Sequence, residues 1–302
     1  MLTNNIVKDI KKINYTDVLG WSISRYEKFS NCKRRYFYDY YAKFDKELPP
    51  EKIQFLKSLT SKPLETGNIV HDVIRDILKR YQKTTKPLNK DRFLKYFFKL
   101  TEEHCCSKIF FEHYYDGEII LPSKIYIKVK NILENFINSS RFAWIEKNAV
   151  PQNPKWIIEP EGFGEFKIKN YKAFCKVDFL FPILDKIYIM DWKTGKPDKK
   201  KHLKQLTGYA LWASYHFNKK ADNIVPIIVY LYPQYKENNI KIDDLSILEF
   251  ENIVVNETKN MYEYLIDIEK NIPKDKKEFP FTKNIVLCKY CNYKEICPGI
   301  RF

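Results

Sequence analysis

The chain has 302 residues and a formal net charge of +15, with 53 lysines and arginines against 38 acidic residues. This excess favours a polyanionic partner such as nucleic acid, although a lysine-rich proteome would produce it as well. No apolar run approaches the roughly 20 residues of a transmembrane helix, and residues 1–12 lack the apolar core of a signal peptide. We therefore predict a cytoplasmic protein without membrane contact. No glycine-rich phosphate loop is present, which argues against nucleotide hydrolysis.

The first half of the chain has helical periodicity. Aromatic and basic residues recur at helical spacing over residues 22–41, and we assign most of the aromatic ones to the core, with Lys33, Arg34 and Arg35 exposed. Apolar residues form one stripe over residues 68–81, which predicts a helix with His71 at the margin of the stripe. Residues 91–144 are predicted to form further helices without recognisable chemistry, which we interpret as one wall of a DNA groove.

From residue 155 onward the periodicity is that of strands. Short runs rich in β-branched and aromatic residues predict strands at 156–158, 173–181, 187–190 and 224–232. A helix over residues 203–217 lies between the last two strands, and a final helix is predicted over residues 256–270. Three strands, a helix and a strand in this order predict an α/β core in which helices flank a central sheet.

A carboxylate and a lysine stand two residues apart at the end of one predicted strand. Asp191 and Lys193 project from the same face, because side chains alternate along a strand. Asp178 ends a similar run, and Gln205 and Tyr209 share one face of the following helix. Two carboxylates and a lysine that converge at a sheet edge suit a bound Mg²⁺ or Mn²⁺ and a water activated against a phosphodiester.

The order of these residues resembles the RecB-like branch of the PD-(D/E)XK nuclease superfamily. That branch is marked by a helix histidine, an aspartate, an acid-x-lysine and a Gln-xxx-Tyr. Gly67-x3-His71 matches its helix motif, although a lone helix histidine is ordinarily structural. The resemblance implies a restriction-endonuclease-like core with a central mixed sheet, and a metal-dependent deoxyribonuclease in which His71, Asp178 and Asp191 hold Mg²⁺ or Mn²⁺.

The resemblance also implies roles for the remaining motif residues. Lys193 would position the attacking water and offset charge on the phosphorane, while Gln205 and Tyr209 would orient Lys193 or contact the substrate. Glu159 and Glu161 are further candidate acids, although solvated strand ends explain them equally well. A lysine-rich loop that leads into the helix is predicted to contact DNA phosphates, with plain solvation as the alternative; its members are Lys196, Lys199, Lys200 and Lys201.

Seven cysteines in a chain without an export signal do not indicate disulfides. Three lie close together as Cys288-x2-Cys291-x5-Cys297, and Cys32 stands near the start of the chain. Their spacing admits a zinc site or an iron–sulfur cluster, because both accept four thiolates. The set resembles the iron–sulfur staple of AddB-type and CRISPR-associated nucleases, which implies a 4Fe–4S cluster. Three cysteines remain outside the set, namely Cys105, Cys106 and Cys175.

These features predict three consecutive segments. They are a helical region over residues 1–150 that carries Cys32 and His71, a nuclease core over 151–240, and a C-terminal helix with the cysteine cluster over 241–302, closed into one unit by the iron–sulfur segment. The predicted function is that of a DNA nuclease, with exonuclease action preferred, on single strands or duplex ends in repair, recombination or CRISPR adaptation. A helicase or a CRISPR adaptation protein is the predicted partner.

The alternative function is that of a DNA-binding iron–sulfur module with an inactive nuclease fold. Such a module would serve as a subunit of a larger helicase or integrase complex. The intact Asp178, Asp191 and Lys193 count against this alternative.

Overall fold

A computed structural model of the chain describes residues 17–152, 156–159 and 164–299. The chain divides into two compact units. Of the described residues, unit 1 contains those within 60–166 and 175–250, and unit 2 contains 17–59, 167–174 and 251–299. Each unit combines stretches that are distant in sequence, so the division into 1–150, 151–240 and 241–302 stays a prediction. No helix in the described ranges is long and apolar enough to cross a membrane.

The described residues form both helices and strands. The helices are α1 (Ile23–Asn31), α2 (Lys33–Tyr41), α3 (Pro50–Ser58), α4 (Lys62–Tyr81), α5 (Lys90–Ser107), α6 (Phe111–Asp116), α7 (Pro122–Ile137), α8 (Ser140–Gln152), α9 (Lys199–Phe217), α10 (Asp244–Tyr262) and α11 (Ile285–Lys289). The strands are β1 (Ile157–Ile158), β2 (Gly164–Ile168), β3 (Tyr171–Cys175), β4 (Phe179–Ile183), β5 (Lys186–Lys193), β6 (Ile224–Tyr230), β7 (Lys236–Asn239), β8 (Leu265–Asp267) and β9 (Ile272–Pro273).

Unit 1 is built on a five-stranded mixed sheet in the order β1-β4-β5-β6-β7. The β5–β6 pair is parallel, and the other neighbouring pairs in this sheet are antiparallel. α9 joins β5 to β6, as a parallel pair requires a crossover connection. The predicted α/β architecture with a mixed sheet and flanking helices is therefore confirmed.

The core of unit 1 forms between the helices and the sheet. The apolar stripe predicted on α4 is buried throughout, and α5 and α7 bury facing aromatic and aliphatic side chains in the same cluster. Phe136 of α7 packs edge-on against Trp192 of β5, with ring centroids 5.3 Å apart. Each fully buried Val, Leu, Ile or Phe stabilises the fold by about 1.5–3 kcal/mol relative to an exposed one. This packing fixes α4, and with it His71, against the end of β5.

Several element boundaries differ from the sequence prediction. The run over 173–181 is broken into β3 and β4, because β3 pairs with β2 whereas β4 joins the main sheet between β1 and β5. α9 begins at Lys199, where Asp198 caps it by accepting the N–H of Lys201 at 3.1 Å. The final helix ends at Tyr262 instead of residue 270, because the segment Leu265–Asp267 pairs as β8 with β9.

Unit 2 has an aromatic core. Phe29, Tyr36 and Phe37 of the first two helices are buried, and Phe279 lies 5.1 Å from the ring of Phe37. The prediction that Arg34 is exposed is wrong: the side chain is buried, and its Nε donates to the carbonyl oxygen of Phe279 at 3.0 Å. A buried guanidinium needs such an acceptor, and α2 is thereby tied to the C-terminal segment.

Candidate active site

The predicted carboxylates meet at one edge of the mixed sheet. Asp191 lies near the end of β5 and is almost fully buried. Asp178 immediately precedes β4, and the antiparallel register pairs Phe179 with Met190, so the two aspartates stand on neighbouring strands. The expectation of one strand over 173–181 that includes Asp178 is wrong, because β3 stops at Cys175 and β4 starts at Phe179. The expected proximity of the two carboxylates holds nevertheless.

A hydrogen-bonded network surrounds Asp191. Its Oδ1 accepts from the hydroxyl of Tyr209 at 2.9 Å and from Nε2 of Gln205 at 3.1 Å. The ammonium of Lys193 pairs with Oδ2 of Asp191 and donates to Oε1 of Gln205 at 2.8 Å. Gln205 also donates to the Tyr209 hydroxyl at 2.6 Å. The structure thus brings together all four residues that the motif and the helix spacing had singled out.

His71 reaches the same place from α4. Its Nδ1 lies 3.5 Å from Oδ2 of Asp178, and its Nε2 donates to the carbonyl oxygen of Trp192 at 3.1 Å. The same Asp178 oxygen accepts the backbone N–H of Trp192 at 3.0 Å. Gly67, one turn before His71, lets the helix approach closely, because a Cβ built there would lie 3.3 Å from the hydroxyl oxygen of Thr194.

The buried charges shift one another's pKa values. Burial and the neighbouring Asp178 carboxylate raise the pKa of Asp191 to about 6. Burial alone would also raise the pKa of Asp178, but His71 and the Trp192 N–H bring it below its usual range. Burial lowers the pKa of His71, yet Asp178, Asp191 and Glu159 outweigh it and raise the pKa to about 9. The site therefore contains a cationic imidazole among carboxylates. A bound metal cation would relieve the remaining repulsion between those carboxylates.

In metal-free protein, we expect the stabilisation that His71 provides to disappear as the pH rises through about 9. The pKa of His71 is about 9 in the folded chain and about 6.5 in an unfolded one. The folded state therefore binds the proton more tightly, so the stabilisation is complete below pH 6.5 and lost above pH 9. Urea unfolding in a chelator at pH 6, 7.5 and 9 measures this loss.

The variant His71→Gln should lack that part of the pH dependence. His113→Gln, which changes an exposed histidine of α6, serves as the control and should behave as the wild type does. If the free energy of unfolding changes with pH equally in wild type and in His71→Gln, the placement of His71 among these carboxylates is contradicted.

A third acid joins His71 and Asp178. One ligand atom each from His71, Glu159 and Asp178 lies within 4.8 Å of the others. The N–H of Glu159 donates to the carbonyl oxygen of Asp178 at 3.0 Å, and Glu159 has a backbone φ of 35°, in the sparsely populated left-handed region. Two carboxylates and an imidazole fit a divalent cation. Glu161, the other candidate acid, lies outside the described residues.

A model of the PD-(D/E)XK nuclease superfamily matches residues 20–298 of the chain. The chain belongs to this superfamily. A solved structure described as the crystal structure of SSO0001 is similar to it at 18% identity, covering 70% of this chain and 97% of that chain, with a TM-score of 0.33. No curated protein matches the chain. The family match includes His71, the segment from Asp178 to Tyr209 and the C-terminal cysteines.

His71, Glu159 and Asp178 of this PD-(D/E)XK protein line a cleft of about 460 Å³. Two residues that line this cleft were not predicted from the sequence. His104 and Lys108, from α5 and the residue that ends it, line the same cleft as His71 and Asp178. Their spacing of four residues places both on one helix face, but that pattern alone does not distinguish a cleft wall from a solvated surface.

The four predicted DNA-binding lysines are exposed. Lys196 lies between β5 and α9, whereas Lys199, Lys200 and Lys201 form the first turn of α9 and are not in a loop as predicted. The capping carboxylate of Asp198 starts the helix before them. Three cations at the positive end of a helix dipole are unfavourable unless an anion is near.

The four cysteines predicted to bind a metal cluster all lie in unit 2. Cys32, Cys288, Cys291 and Cys297 all line one cavity of about 40 Å³. Cys32 also caps α2, where its Sγ accepts the N–H of Arg35 at 3.4 Å. Burial, with the nearby thiols of Cys32 and Cys297, raises the pKa of Cys291 to about 11. The structure therefore brings together, around one cavity, thiols from the two ends of the chain.

Proposed function

We propose that the protein is a divalent-metal-dependent deoxyribonuclease. One observation supports this most: His71, Glu159 and Asp178 converge within 4.8 Å beside the Asp191–Lys193 pair, in a member of the PD-(D/E)XK nuclease superfamily. A chain with a net charge of +15 suits a polyanionic substrate.

Asp178, Asp191 and His71 would hold Mg²⁺ or Mn²⁺, and Glu159 adds a further carboxylate. Carboxylate oxygens are the ligands that these hard cations prefer. A bound divalent ion supplies an acidified water and offsets negative charge on the phosphate. In the metal-free arrangement the Lys193 ammonium faces Oδ2 of Asp191, which takes no directed hydrogen bond from the described residues. A bound cation would share that oxygen with the Lys193 ammonium.

Lys193, Gln205 and Tyr209 would act on the attacking water and on the phosphate. The ammonium of Lys193 has three N–H donors; one is used by Gln205 at 2.8 Å, and the ammonium also pairs with Asp191. The remaining donor can orient the water while the charge of the ammonium stabilises the phosphorane. Gln205 holds Lys193 and Asp191 at once, so it keeps their spacing fixed. Tyr209 is buried, and burial with the nearby Asp191 raises its pKa well above the usual value, so it acts as a neutral hydrogen-bond donor.

The finer proposals follow the resemblance to the RecB-like branch. They are exonuclease action on single strands or duplex ends, a role in repair, recombination or CRISPR adaptation, and a separate helicase or adaptation protein as partner. We also propose that Cys32, Cys288, Cys291 and Cys297 hold a 4Fe–4S cluster. The shared cavity that these thiols line supports the last of these proposals.

Purified protein, kept free of oxygen, tests the proposal on end-labelled single- and double-stranded DNA. Cleavage should require Mg²⁺ or Mn²⁺ and should stop in a chelator. Release of mononucleotides or short products from one end indicates an exonuclease, whereas internal products indicate an endonuclease. Binding without cleavage under any of these conditions would favour the inactive DNA-binding module instead.

The lysines at the start of α9 give a prediction about salt dependence. Replacing Lys199, Lys200 and Lys201 together with alanine should flatten the slope of log K against log salt for DNA, by roughly 0.9 for each phosphate that these lysines neutralise in the wild type. The helix should tolerate the change, because lysines at this end oppose its dipole. Binding is measured with the Asp191→Asn variant at several salt concentrations.

A double variant of Lys95 and Lys99, two exposed lysines on α5, serves as the control for general charge loss. If it flattens the slope as much per charge removed as the triple variant does, the first turn of α9 has no specific part in the binding surface.

A further inference from the structure

The cleft of the candidate active site has a second polar group, and its two basic residues come from α5 and the residue after it, a region in which the sequence showed no recognisable chemistry. His104 and Lys108 line the cleft together with Asp72 of α4. The side chain of Lys108 is 35% exposed and that of His104 is 15% exposed. These residues belong to unit 1, as do the metal-ligand candidates. The volume of about 460 Å³ lies within the range of about 300–1,000 Å³ that is usual for ligand pockets.

Glu65 organises this second group from beneath the surface. Its side chain is fully buried, and Oε1 accepts from Nδ1 of His104 at 2.5 Å and from the ammonium of Lys108. The Thr60 hydroxyl donates to its other oxygen at 2.8 Å. Burial raises the pKa of Glu65, but these three partners bring it below the usual range, so the carboxylate is charged. A buried charge persists only where it is paired, and here the pairing fixes both cleft residues in place.

Lys108 keeps donors that face away from Glu65. An ammonium has three N–H groups; the Glu65 carboxylate takes one of them, and Nδ1 of His104 lies 3.5 Å from the Lys108 nitrogen. Asp72 also lines the cleft: its Oδ2 lies 3.4 Å from Nε2 of His104, and its other oxygen pairs with Arg75. Arg75 therefore offsets part of the charge of Asp72. A cation fixed at the cleft before any ligand arrives loses little entropy on binding one.

We infer that Lys108, held by Glu65 and His104, binds a phosphate of the substrate strand next to the scissile one. This inference rests on the proposed nuclease function, because that function makes a polynucleotide the occupant of the cleft. Lys108 contacts the substrate, and Glu65 and His104 are positioning residues. A lysine binds phosphate as a point charge, and a contact of this kind sets the register of the strand. Register determines which phosphodiester lies at the metal-ligand candidates.

The test uses DNA strands in which one phosphate at a time, on either side of the cleaved bond, is a neutral methylphosphonate. Wild type should lose on the order of tenfold in kcat/KM at one flanking position, as expected for a charged hydrogen bond. Lys108→Met should lose about as much on the unmodified strand, with no further loss at that one position. If the losses multiply at every position, Lys108 binds no flanking phosphate and the inference is wrong.

Three further variants keep this test interpretable. Lys99→Met is the matched control, because Lys99 lies on the same helix with a side chain that is 77% exposed and pairs with Glu103; it should keep the wild-type pattern. Glu65→Gln combined with Lys108→Met removes both charges, and it replaces the single variant if loss of Lys108 alone unfolds the protein. His104→Ala should shrink the methylphosphonate penalty at the same position, which a merely structural role would leave unchanged.

Failure of the proposed function would look different. Wild type would then leave the unmodified strand intact in Mg²⁺ and Mn²⁺, whichever residue is replaced. In that case the same strands are compared by Kd in Ca²⁺, where binding needs no cleavage. A penalty at one position that disappears in Lys108→Met supports the phosphate contact, and a penalty that does not depend on Lys108 overturns it.

Discussion

Replacing Asp191 with asparagine is expected to lower DNA cleavage by about 100-fold or more while the fold persists. The change removes one negative charge from the proposed cation site and leaves Gln205 and Tyr209 with an oxygen to which they can donate. Loss of a direct ligand or of a charge-stabilising group costs on the order of 10²-fold or more in rate. Single-turnover cleavage of end-labelled DNA at saturating Mg²⁺ measures the loss.

The melting temperature of Asp191→Asn in chelator at pH 7.5 should not fall far below that of wild type. The pKa of Asp191 is about 6 in the folded chain and about 3.9 in an unfolded one, so the ionised carboxylate destabilises the metal-free fold at this pH. Asp185→Asn, at an exposed turn between β4 and β5, is the control and should cleave as wild type does. Wild-type turnover by Asp191→Asn would contradict the assignment of Asp191 to the active site.

Lys193→Met should lose activity to a similar degree and for a different reason. It removes the ammonium that pairs with Asp191, so in metal-free protein only His71, of the described side chains, offsets the repulsion between the two carboxylates. Its melting temperature should therefore depend more on added metal than that of Asp191→Asn. Titration of both variants with Mg²⁺ in thermal unfolding separates the two effects.

Local geometry explains which parts of the site were predictable from sequence. Asp191 and Lys193 share a face by strand alternation, and Gln205 and Tyr209 share one by helical spacing. The structure joins all four in one network. Each pair is determined within a single element, so no knowledge of packing was needed to place its members together.

Tertiary packing decides the rest of the site. Asp178 lies near Asp191 because β4 pairs with β5, whereas β3 pairs with β2 in a separate sheet. The apolar run over 173–181 does not show that its two halves have different partners. The start of α9 was readable in principle from the capping residue Asp198. The position of Lys108 in the cleft could not be predicted from the sequence. Only its contact with the buried Glu65 of α4 distinguishes Lys108 from a solvated lysine.

Removal of any one staple thiol is expected to cost both the cluster and several kcal/mol of stability. If Cys32, Cys288, Cys291 and Cys297 hold a 4Fe–4S cluster, the wild-type protein is brown and contains iron and sulfide. Cys→Ser at any of these positions should bleach it. Cys106→Ser, at an exposed cysteine of α5, is the matched control and should keep the colour and the stability of wild type. Cys105→Ser and Cys175→Ser should also keep the colour.

The size of the stability loss follows from the loop that the cluster closes. Cys32 and Cys288 are 256 positions apart, so the link restricts most of the unfolded chain. By the entropy estimate used for disulfides, closing so long a loop stabilises the folded state by about 5.5 kcal/mol. Without the cluster, these four thiols are free and close no loop. Metal analysis of protein kept free of oxygen distinguishes an iron–sulfur cluster from a zinc site. Stoichiometric zinc without iron or sulfide would contradict the cluster. The loss of stability from loop opening would then appear when zinc is chelated.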